Sequence, residues 1–385
     1  MSQGQVNLRQ YDEWLTDDSE VAALVMRQWL ESVEGKDAVI FPPTYARPPE
    51  RARDEDWIGY NIDRFDDGTS VCQIDSVGSQ ANRMEPLFKR EKYQHLVPQV
   101  IIDAGGRKVH LLDAGHRAAD AIVRFSTLET RLHEAFCAYR DNGNAEPLAK
   151  IAPTSIVFGS WDSRATQAKL PRIVRSVVRA YNVNVLRRSA QYSTIAGEIL
   201  EVGDAEVTTR GPKAELGLAH VPAVSTHGGV QVFGEIRRDG ALNLSALRAL
   251  AGSPDGDSTL RLRRYVLGLA LVSFTAAPEG FLREGCQLVP APGRAPEWKL
   301  VKQDGSRESL EVSQARAFDF ATAAADSFHV EPAPPVYFDS EIANKVLALS
   351  EADRKKLLKQ GPVTSDAIDR LKSKGTTTGK SQESE

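Results

Sequence analysis

The sequence predicts an α+β fold in a chain of 385 residues. Three observations carry that expectation. Short β-rich runs alternate with segments whose apolar residues recur every three to four positions. Residues 185–240 interrupt the alternation with glycines and brief β-rich runs, at 206–209 and 228–233, as a hairpin-rich insertion does. Hydrophobic residues make up 41% of the chain, enough for a sizeable core. Strand, helix, strands, helix, strand, helix and then the insertion is an order compatible with an elaborated ferredoxin-like core.

Taken in order, residues 1–36 read as an acidic helical extension. Ser19 is the cap, and Val21, Leu24, Val25, Trp29 and Leu30 form the apolar side. Residues 38–41 read as a strand stopped by Pro42 and Pro43, and residues 44–68 as charged loop. Residues 72–88 read as an amphipathic helix with Ile74, Val77, Ala81, Met84 and Phe88 on one side. Ser76, Ser79 and Arg83 share its polar side, with Gln80 at the border. Gly78 costs such a helix roughly 1 kcal/mol relative to alanine, which points to close approach by another backbone or a ligand. Residues 100–112 read as two strands around Gly105 and Gly106, followed by a long helix through about Tyr139.

Residues 156–158 read as a buried strand, and Pro171 as the first turn of a helix. At 100° per residue, Ile173, Val174, Val177, Val178 and Tyr181 fall in a sector about 140° wide. Arg172, Arg175 and Arg179 fall opposite, in a sector about 60° wide. After the insertion come a short helix at 244–250 capped by Asn243 or Ser245, and a strongly apolar helix at 260–274 that begins with Arg261, Arg263 and Arg264. A turn leading to a strand is expected at 280–290, another strand at 298–301, and a buried helix at 312–328. The domain organisation is therefore 1–36 extension, 37–330 core with 185–240 inserted, and 331–385 a C-terminal arm. That arm holds a basic helix around Lys355, Lys356 and Lys359 and ends in about 20 disordered residues.

The net charge of −4 hides an asymmetry, because residues 1–70 carry 15 acids against 7 bases. Residues 156–190 carry seven bases, including Arg164, Lys169, Arg187 and Arg188, against the single acid Asp162. A solvated face usually mixes both signs, so this stretch points to a polyanion backbone. A pI near 6.1 excludes a generic nucleic-acid coat but permits a local basic groove. Cys72, Cys137 and Cys286 show no paired spacing, which fits a reducing cytosol. The longest apolar run, 265–274, is about half a membrane span, and no signal peptide is expected.

Enzyme-like chemistry has one candidate, the cluster His110, Asp113, His116 and Asp120, which would suit a metal-dependent nuclease or phosphohydrolase. No second histidine pair completes it. Ser163 and Ser225 lack a nucleophile elbow, and Gly228-Gly229 is followed by no Gly-Lys-Ser/Thr.

The run Ile74-Asp-Ser-Val-Gly-Ser-Gln-Ala-Asn-Arg-Met-Glu85 resembles the Ser-x-x-Ser-Gln-Ala-Asn-Arg-Leu-Glu signature of the type I-U (I-G) CRISPR backbone protein. That protein is a RAMP-superfamily subunit of Cascade. Gly115-His-Arg-Ala-Ala-Asp-Ala121, Phe158-Gly-Ser-Trp-Asp-Ser163, Arg172-Ile-Val-Arg-Ser176 and Gly228-Gly-Val230 are similar to the same family, in the same order. The resemblance spans roughly 37–330. It implies an RRM-like RAMP palm with inserted finger and thumb elements, a cytoplasmic protein without catalysis or cofactor, and polymerisation along CRISPR RNA. Implied partners are that RNA, the target DNA strand, copies of the chain in a head-to-tail filament, and other Cascade subunits. Phosphate contacts would be independent of sequence, leaving bases free to pair.

Arg172, Arg175 and Arg179 are the first candidates for RNA phosphates. Ser76, Ser79, Gln80 and Arg83 follow, suited to phosphate and 2′-OH. Arg164 and Lys169 come third, and His227, Gly228 and Gly229 belong to the thumb. Related type III proteins cut RNA with a loop aspartate; none matches here, and Asp75 and Asp162 are read as structural or orienting. The acidic extension is expected to meet a basic surface of the next subunit. Residues 1–36 should then be dispensable for binding of a single copy to RNA.

Overall fold

The computed structural model describes residues 7–47, 57, 59–195, 210–254, 256–276 and 280–377. In chain order the strands begin with β1 (Val21–Ser32), β2 (Val39–Ile40), β3 (Ile62–Arg64), β4 (Ser70–Asp75), β5 (Ile101–Asp103) and β6 (Lys108–His110). There follow β7 (Ser160–Trp161), β8 (Lys169–Leu170), β9 (Val174–Tyr181), β10 (Val183–Tyr192), β11 (Val221–Val232) and β12 (Ile236–Asn243). The last are β13 (Phe281–Arg283), β14 (Cys286–Pro290), β15 (Glu297–Lys302), β16 (Arg307–Ser309) and β17 (Val336–Tyr337). The main sheet is curled and antiparallel, in the order β13-β14-β1-β12-β9-β4-β3, with β15 added to β1 and β16 to β15.

β1 is the correction with the widest consequence. The stretch expected as an extension helix is a central strand, paired with β12 along one edge and with β15 and then β14 along the other. A strand covered on both faces reads as a near-continuous apolar run, and helical spacing arises in such a run by chance. The described part of that extension therefore contributes a strand to the main sheet and Trp14 and Leu15 to the core, and is not dispensable. Two of the acids nearby meet the chain's own arginines: Arg264 forks onto Asp12 at 2.8 and 2.5 Å, and Arg263 reaches Asp17 at 2.7 Å.

The basic helix expected after Pro171 is likewise a strand, β9, held between β12 and β4. Its three valines favour a pleated, half-buried surface, and Pro171 lies ahead of the ladder where its missing N–H costs nothing. Residues 156–158, expected as a strand, belong instead to the buried helix Pro153–Val157 and its cap. Residues 72–88 divide into β4, the helix Val77–Met84 and a 3₁₀ turn, Glu85–Lys89. The long helix expected up to Tyr139 is broken into short turns and the helix Glu129–Asn142.

Other elements fall where the pattern placed them. These include β2, the β5–β6 pair, the Asn243-capped helix Leu244–Arg248 and the apolar helix Ser258–Thr275. That last helix packs on Gln314–Phe328 so closely that a Cβ on Gly268 would lie 2.8 Å from the Cα of Ala321. It also covers one face of the sheet, where a Cβ on Gly240 would come 2.7 Å from the Phe274 ring. The segment read as hairpin-rich carries β10 and β11, a ribbon exposed from Arg187 to Tyr192 and footed on β2. The expected strand at 206–209 lies outside the described residues. No helix among the described residues is long and apolar enough to cross a membrane.

The C-terminal arm is more ordered than its composition implies. Helices Ser340–Leu347, Glu351–Gln360 and Ser365–Thr377 enclose a small core of Val346, Leu357, Val363, Ile368 and Leu371. The expectation of disorder over the last 20 or so residues thus fails for 365–377, and 378–385 lie outside the described residues. β17 joins the arm to β5, and Val363 N donates to the buried Glu129 carboxylate at 3.3 Å. Burial pushes the Glu129 carboxyl up to about 7 from an ordinary 4.5, against the bond from Val363 and the charge of Arg124. Asp162 pushes in the same direction as burial. A group whose folded pKa exceeds its unfolded one binds a proton on folding between the two values. The Glu129 contribution is therefore full below about pH 4.5 and lost as pH rises through about 7. Glu129→Gln should flatten part of the fall in melting temperature across that window. An unchanged slope in thermal scans at several pH values would show that Glu129 is not the group responsible.

Candidate nucleic-acid interface

Pairing register sorts the side chains of the main sheet onto two faces. Arg27, Asp239 and Val177 stand in one cross-strand row, and Trp29, Arg237 and Arg179 in the next. Residues two apart on one strand share a face. Arg175, Arg179 and Tyr181 therefore stand together with Arg27 and Arg237, while Ser176, Val178, Gln28 and Arg238 stand opposite. The first of these faces is open: Arg27 and Arg175 are exposed, and Arg179 and Arg237 half-buried.

Three guanidiniums surround one carboxylate there. Arg237 lies 2.9 Å from Asp239, Arg27 3.5 Å and Arg179 4.0 Å. Arg237 also stacks over the Tyr181 ring, 4.5 Å from its centroid, and donates to its hydroxyl at 2.7 Å. Alongside is a depression of about 440 Å³ lined by Arg27, Asp239, Glu297, Lys299 and Arg307. Glu235 lies 3.8 Å from Arg237 and Glu297 lines the depression, but with Asp239 these acids are outnumbered by Arg27, Arg175, Arg179, Arg237, Lys299 and Arg307, so the face keeps a positive excess. Guanidiniums so fixed, beside an aromatic ring, suit phosphates and stacked bases.

Of the arginines expected in one row, β9 brings Arg175 and Arg179 together and leaves Arg172 outside. Arg172 lies over Gly159, where a Cβ would sit 2.7 Å from its Cγ. Gly159 has φ +78°, a conformation that favours glycine. Arg164 and Lys169 lie on the small β7–β8 hairpin, exposed, with Lys169 5.7 Å from the ring of the exposed Trp161.

The polar residues of the first motif are largely engaged within the protein. Ser76 caps the helix Val77–Met84 by accepting from Ser79 N at 3.2 Å, and its own hydroxyl donates to Ser79 Oγ. Gln80 is buried, donating to Asp75 at 2.6 Å and accepting from Ser176 at 2.9 Å. Arg83 reaches Asp75 at 3.1 Å and the Leu282 carbonyl at 3.1 Å. Burial raises the Asp75 carboxyl above its ordinary value, opposed by the Gln80 bond and the Arg83 charge. Ser176 accepts in turn from the buried Arg238 at 3.0 Å. A polar chain thus runs from Arg238 through Ser176 and Gln80 to Asp75 and Arg83.

The Gly115–Ala121 and Phe158–Ser163 motifs meet the end of the first motif at a second buried hub. Arg117, with φ +54°, places its guanidinium 2.7 Å from Glu85, 3.0 Å from Asn82 Oδ1 and 3.3 Å from the Gly159 carbonyl. Burial pushes Glu85 up to about 7, opposed by Arg117. Asp162 accepts from Thr166 N and Oγ1, both at 2.8 Å, and from Arg124 at 2.8 Å. Burial works to raise the Asp162 carboxyl, but the Thr166 bonds and Arg124 outweigh it and hold the carboxyl low.

The His–Asp cluster has protein partners too. His110 meets Gln99 at 3.1 Å and accepts from Leu112 N, Asp113 pairs with Lys89 at 2.5 Å, and Asp120 caps the next turn. His116 is 85% exposed with Asp120 at 3.4 Å. Among the described residues, no three His, Cys, Asp or Glu side chains are placed to share a metal ion. At the root of the ribbon, His227 packs edge-on to Tyr60. Cβ atoms on Gly228 and Gly229 would lie 2.5 Å from the Leu186 carbonyl carbon and from Val39 Cγ1, so these glycines admit neighbouring chain.

Sequence reasoning missed Arg27, Arg237, Lys299 and Arg307. Alternation was the available signal: once β1 and β12 are strands, Arg27 and Trp29, and Arg237 and Asp239, must share a face.

Residues 24–185 match the family model described as CRISPR-associated protein GSU0053 (Cas_GSU0053). The match supports a CRISPR-Cas protein. It spans less than half of the chain, and no curated protein matches. Within the matched residues lie most of β1, all of β4 and β9, and the Arg117–Glu85 pair, so the match covers much of the frame that positions Arg27, Arg175 and Arg179.

The Arg117–Glu85 pair is a direct test of that frame. Both side chains are almost wholly buried, at 6% and 1% exposure. Removing one partner of such a pair strands the other charge and costs about 3–5 kcal/mol. Glu85→Ala should lower unfolding stability by that order in denaturant melts, whereas a loss below about 1 kcal/mol would mean that Arg117 finds water or another partner.

Proposed function

We propose that the chain is the CRISPR RNA-binding backbone subunit of a type I-U (I-G) Cascade complex. The observation that carries the reading is the guanidinium-rich open face of the sheet, in a chain that matches a CRISPR-associated family. In this reading the main sheet is the RAMP palm and the β10–β11 ribbon the thumb. Guide phosphates lie over Arg175, Arg179, Arg27 and Arg237, and Arg172, Arg164 and Lys169 extend the path. Ser76 and Ser79 offer hydroxyls at its margin. Gln80 and Arg83 act through Asp75 and Ser176, by fixing β4 against β9. His227, Gly228 and Gly229 set the root of the thumb.

Such contacts ignore base identity, as a subunit that must hold any guide requires. The subunit itself performs no chemistry; copies stack head to tail along the RNA and present bases to the target DNA strand. Heterologous stacking of this kind builds an open helix, and RNA favours it by holding neighbours on one strand.

Replacing Arg175 and Arg179 together with alanine should weaken binding to guides of unrelated sequence alike. Each lost phosphate contact should flatten the slope of log affinity against log salt by roughly 0.7. Both side chains leave the open face, so circular dichroism should be unchanged. Fluorescence anisotropy across a salt series reads the slope. Parental affinity and slope in the double variant would remove this face from the RNA path.

A further inference from the structure

On the opposite face of the sheet lies a cavity of about 370 Å³. Its floor holds Gln28, Arg238 and Val178, register partners across β1, β12 and β9. Met26, Phe274, Leu288 and Trp298 form buried apolar walls, and exposed Pro290 and Pro296 mark the rim. Arg238 is the one charged side chain on the described lining, and it is 2% exposed. Its Nε donates to Ser176 Oγ and one terminal nitrogen approaches Met84 Sδ at 3.3 Å. Among the described residues no carboxylate bonds it directly: Asp75 stands at the far end of the Ser176–Gln80 chain, and Arg83 already pairs with it. Beside Arg238, Gln28 is 8% exposed and its Oε1 has no hydrogen-bond partner.

A guanidinium in apolar surroundings and an unmet carbonyl are each costly to bury. Here they are cross-strand neighbours at the bottom of a pocket with an exposed rim. Burial draws the Arg238 pKa down to about 10, so the group is still charged at neutral pH.

We propose that this cavity binds a small organic monoanion of the 2-hydroxycarboxylate type. The carboxylate meets Arg238, the adjacent hydroxyl donates to Gln28 Oε1, and an apolar body fills the space against Phe274 and Trp298. The volume is at the small end of ligand pockets. A phosphate dianion would bring a second charge that no second lining cation answers. A neutral base would leave Arg238 without a counter-charge. The site is on the face turned away from the RNA path proposed above, so either reading can fail without the other.

Calorimetry on the full-length chain tests it with three probes: 3-phenyllactate, 3-phenylpropanoate and 3-phenylpropane-1,2-diol. Phenyllactate should bind, phenylpropanoate about tenfold more weakly for want of one hydrogen bond, and the diol not measurably. Gln28→Leu should bring phenyllactate down to the phenylpropanoate level and leave phenylpropanoate and RNA affinity unchanged. Arg238→Met should abolish binding of both acids; if that variant does not fold, Gln28→Leu still decides. Failure of phenyllactate to bind the parent overturns the proposal. So does a diol as tight as the acid, or unchanged phenyllactate affinity in Gln28→Leu.

Discussion

Strand β1 has hydrogen-bonded neighbours on both edges and buried side chains on both faces. At twelve residues it is long enough for one edge to serve β15 and then β14 while the other holds β12 throughout. Its register with β12, and that of β12 with β9, fixes which side chains meet across three strands. A shift by one residue would exchange the two faces, placing Arg238 in solvent and Arg237 in the core. The order of the open face therefore depends on a segment near the start of the chain, far in sequence from most of the arginines it aligns.

The adjacent residues Arg237 and Arg238 show how far the pleat separates two like side chains. Arg237 joins Asp239 and Tyr181 on the open face, whereas Arg238 is sealed beneath the sheet against Ser176 and Met84. Beneath the sheet, charges sit in hydrogen-bonded chains, from Arg238 to Asp75 and Arg83, and from Arg117 to Glu85. In a low-dielectric interior such networks rigidify what they join when their members are satisfied. They tie the helix Val77–Met84 to β9 and the turn at Arg117 to Gly159, the surroundings of the basic surface. Most polar residues of the recognisable motifs are thus structural in their contacts; of the open-face guanidiniums only Arg175 belongs to a motif, and Arg27, Arg179 and Arg237 lie on strand stretches outside them.

The two faces consequently offer different chemistry. One is broad and open, with guanidiniums held in fixed geometry. The other holds a mostly apolar cavity of about 370 Å³ whose described lining has one charged side chain, Arg238, and the unpartnered buried Gln28 Oε1. The hubs at Glu85 and Glu129 add carboxyls held near neutrality by burial, which links the packing of the core and of the C-terminal arm to proton uptake.

Composition and local pattern determined much by themselves: a mixed α and β chain, the apolar helix Ser258–Thr275, the β5–β6 turn at its glycines and the Asn243 cap. Each depends on interactions within a few residues, which sequence displays directly. The family motifs were legible for the same reason. Strand identity at β1 and β9 was not, because β1 opens on a continuous apolar run and the buried Val177 interrupts the two-residue alternation of β9. Val174, Val177, Val178 and Tyr181 satisfy a helical stripe as well as a pleat, and only pairing with β12 and β4 decides between them. That decision moved Arg172 out of the row and brought Arg27 and Arg237 into it, since residues on separate strands become neighbours through ladder register, which no local pattern encodes.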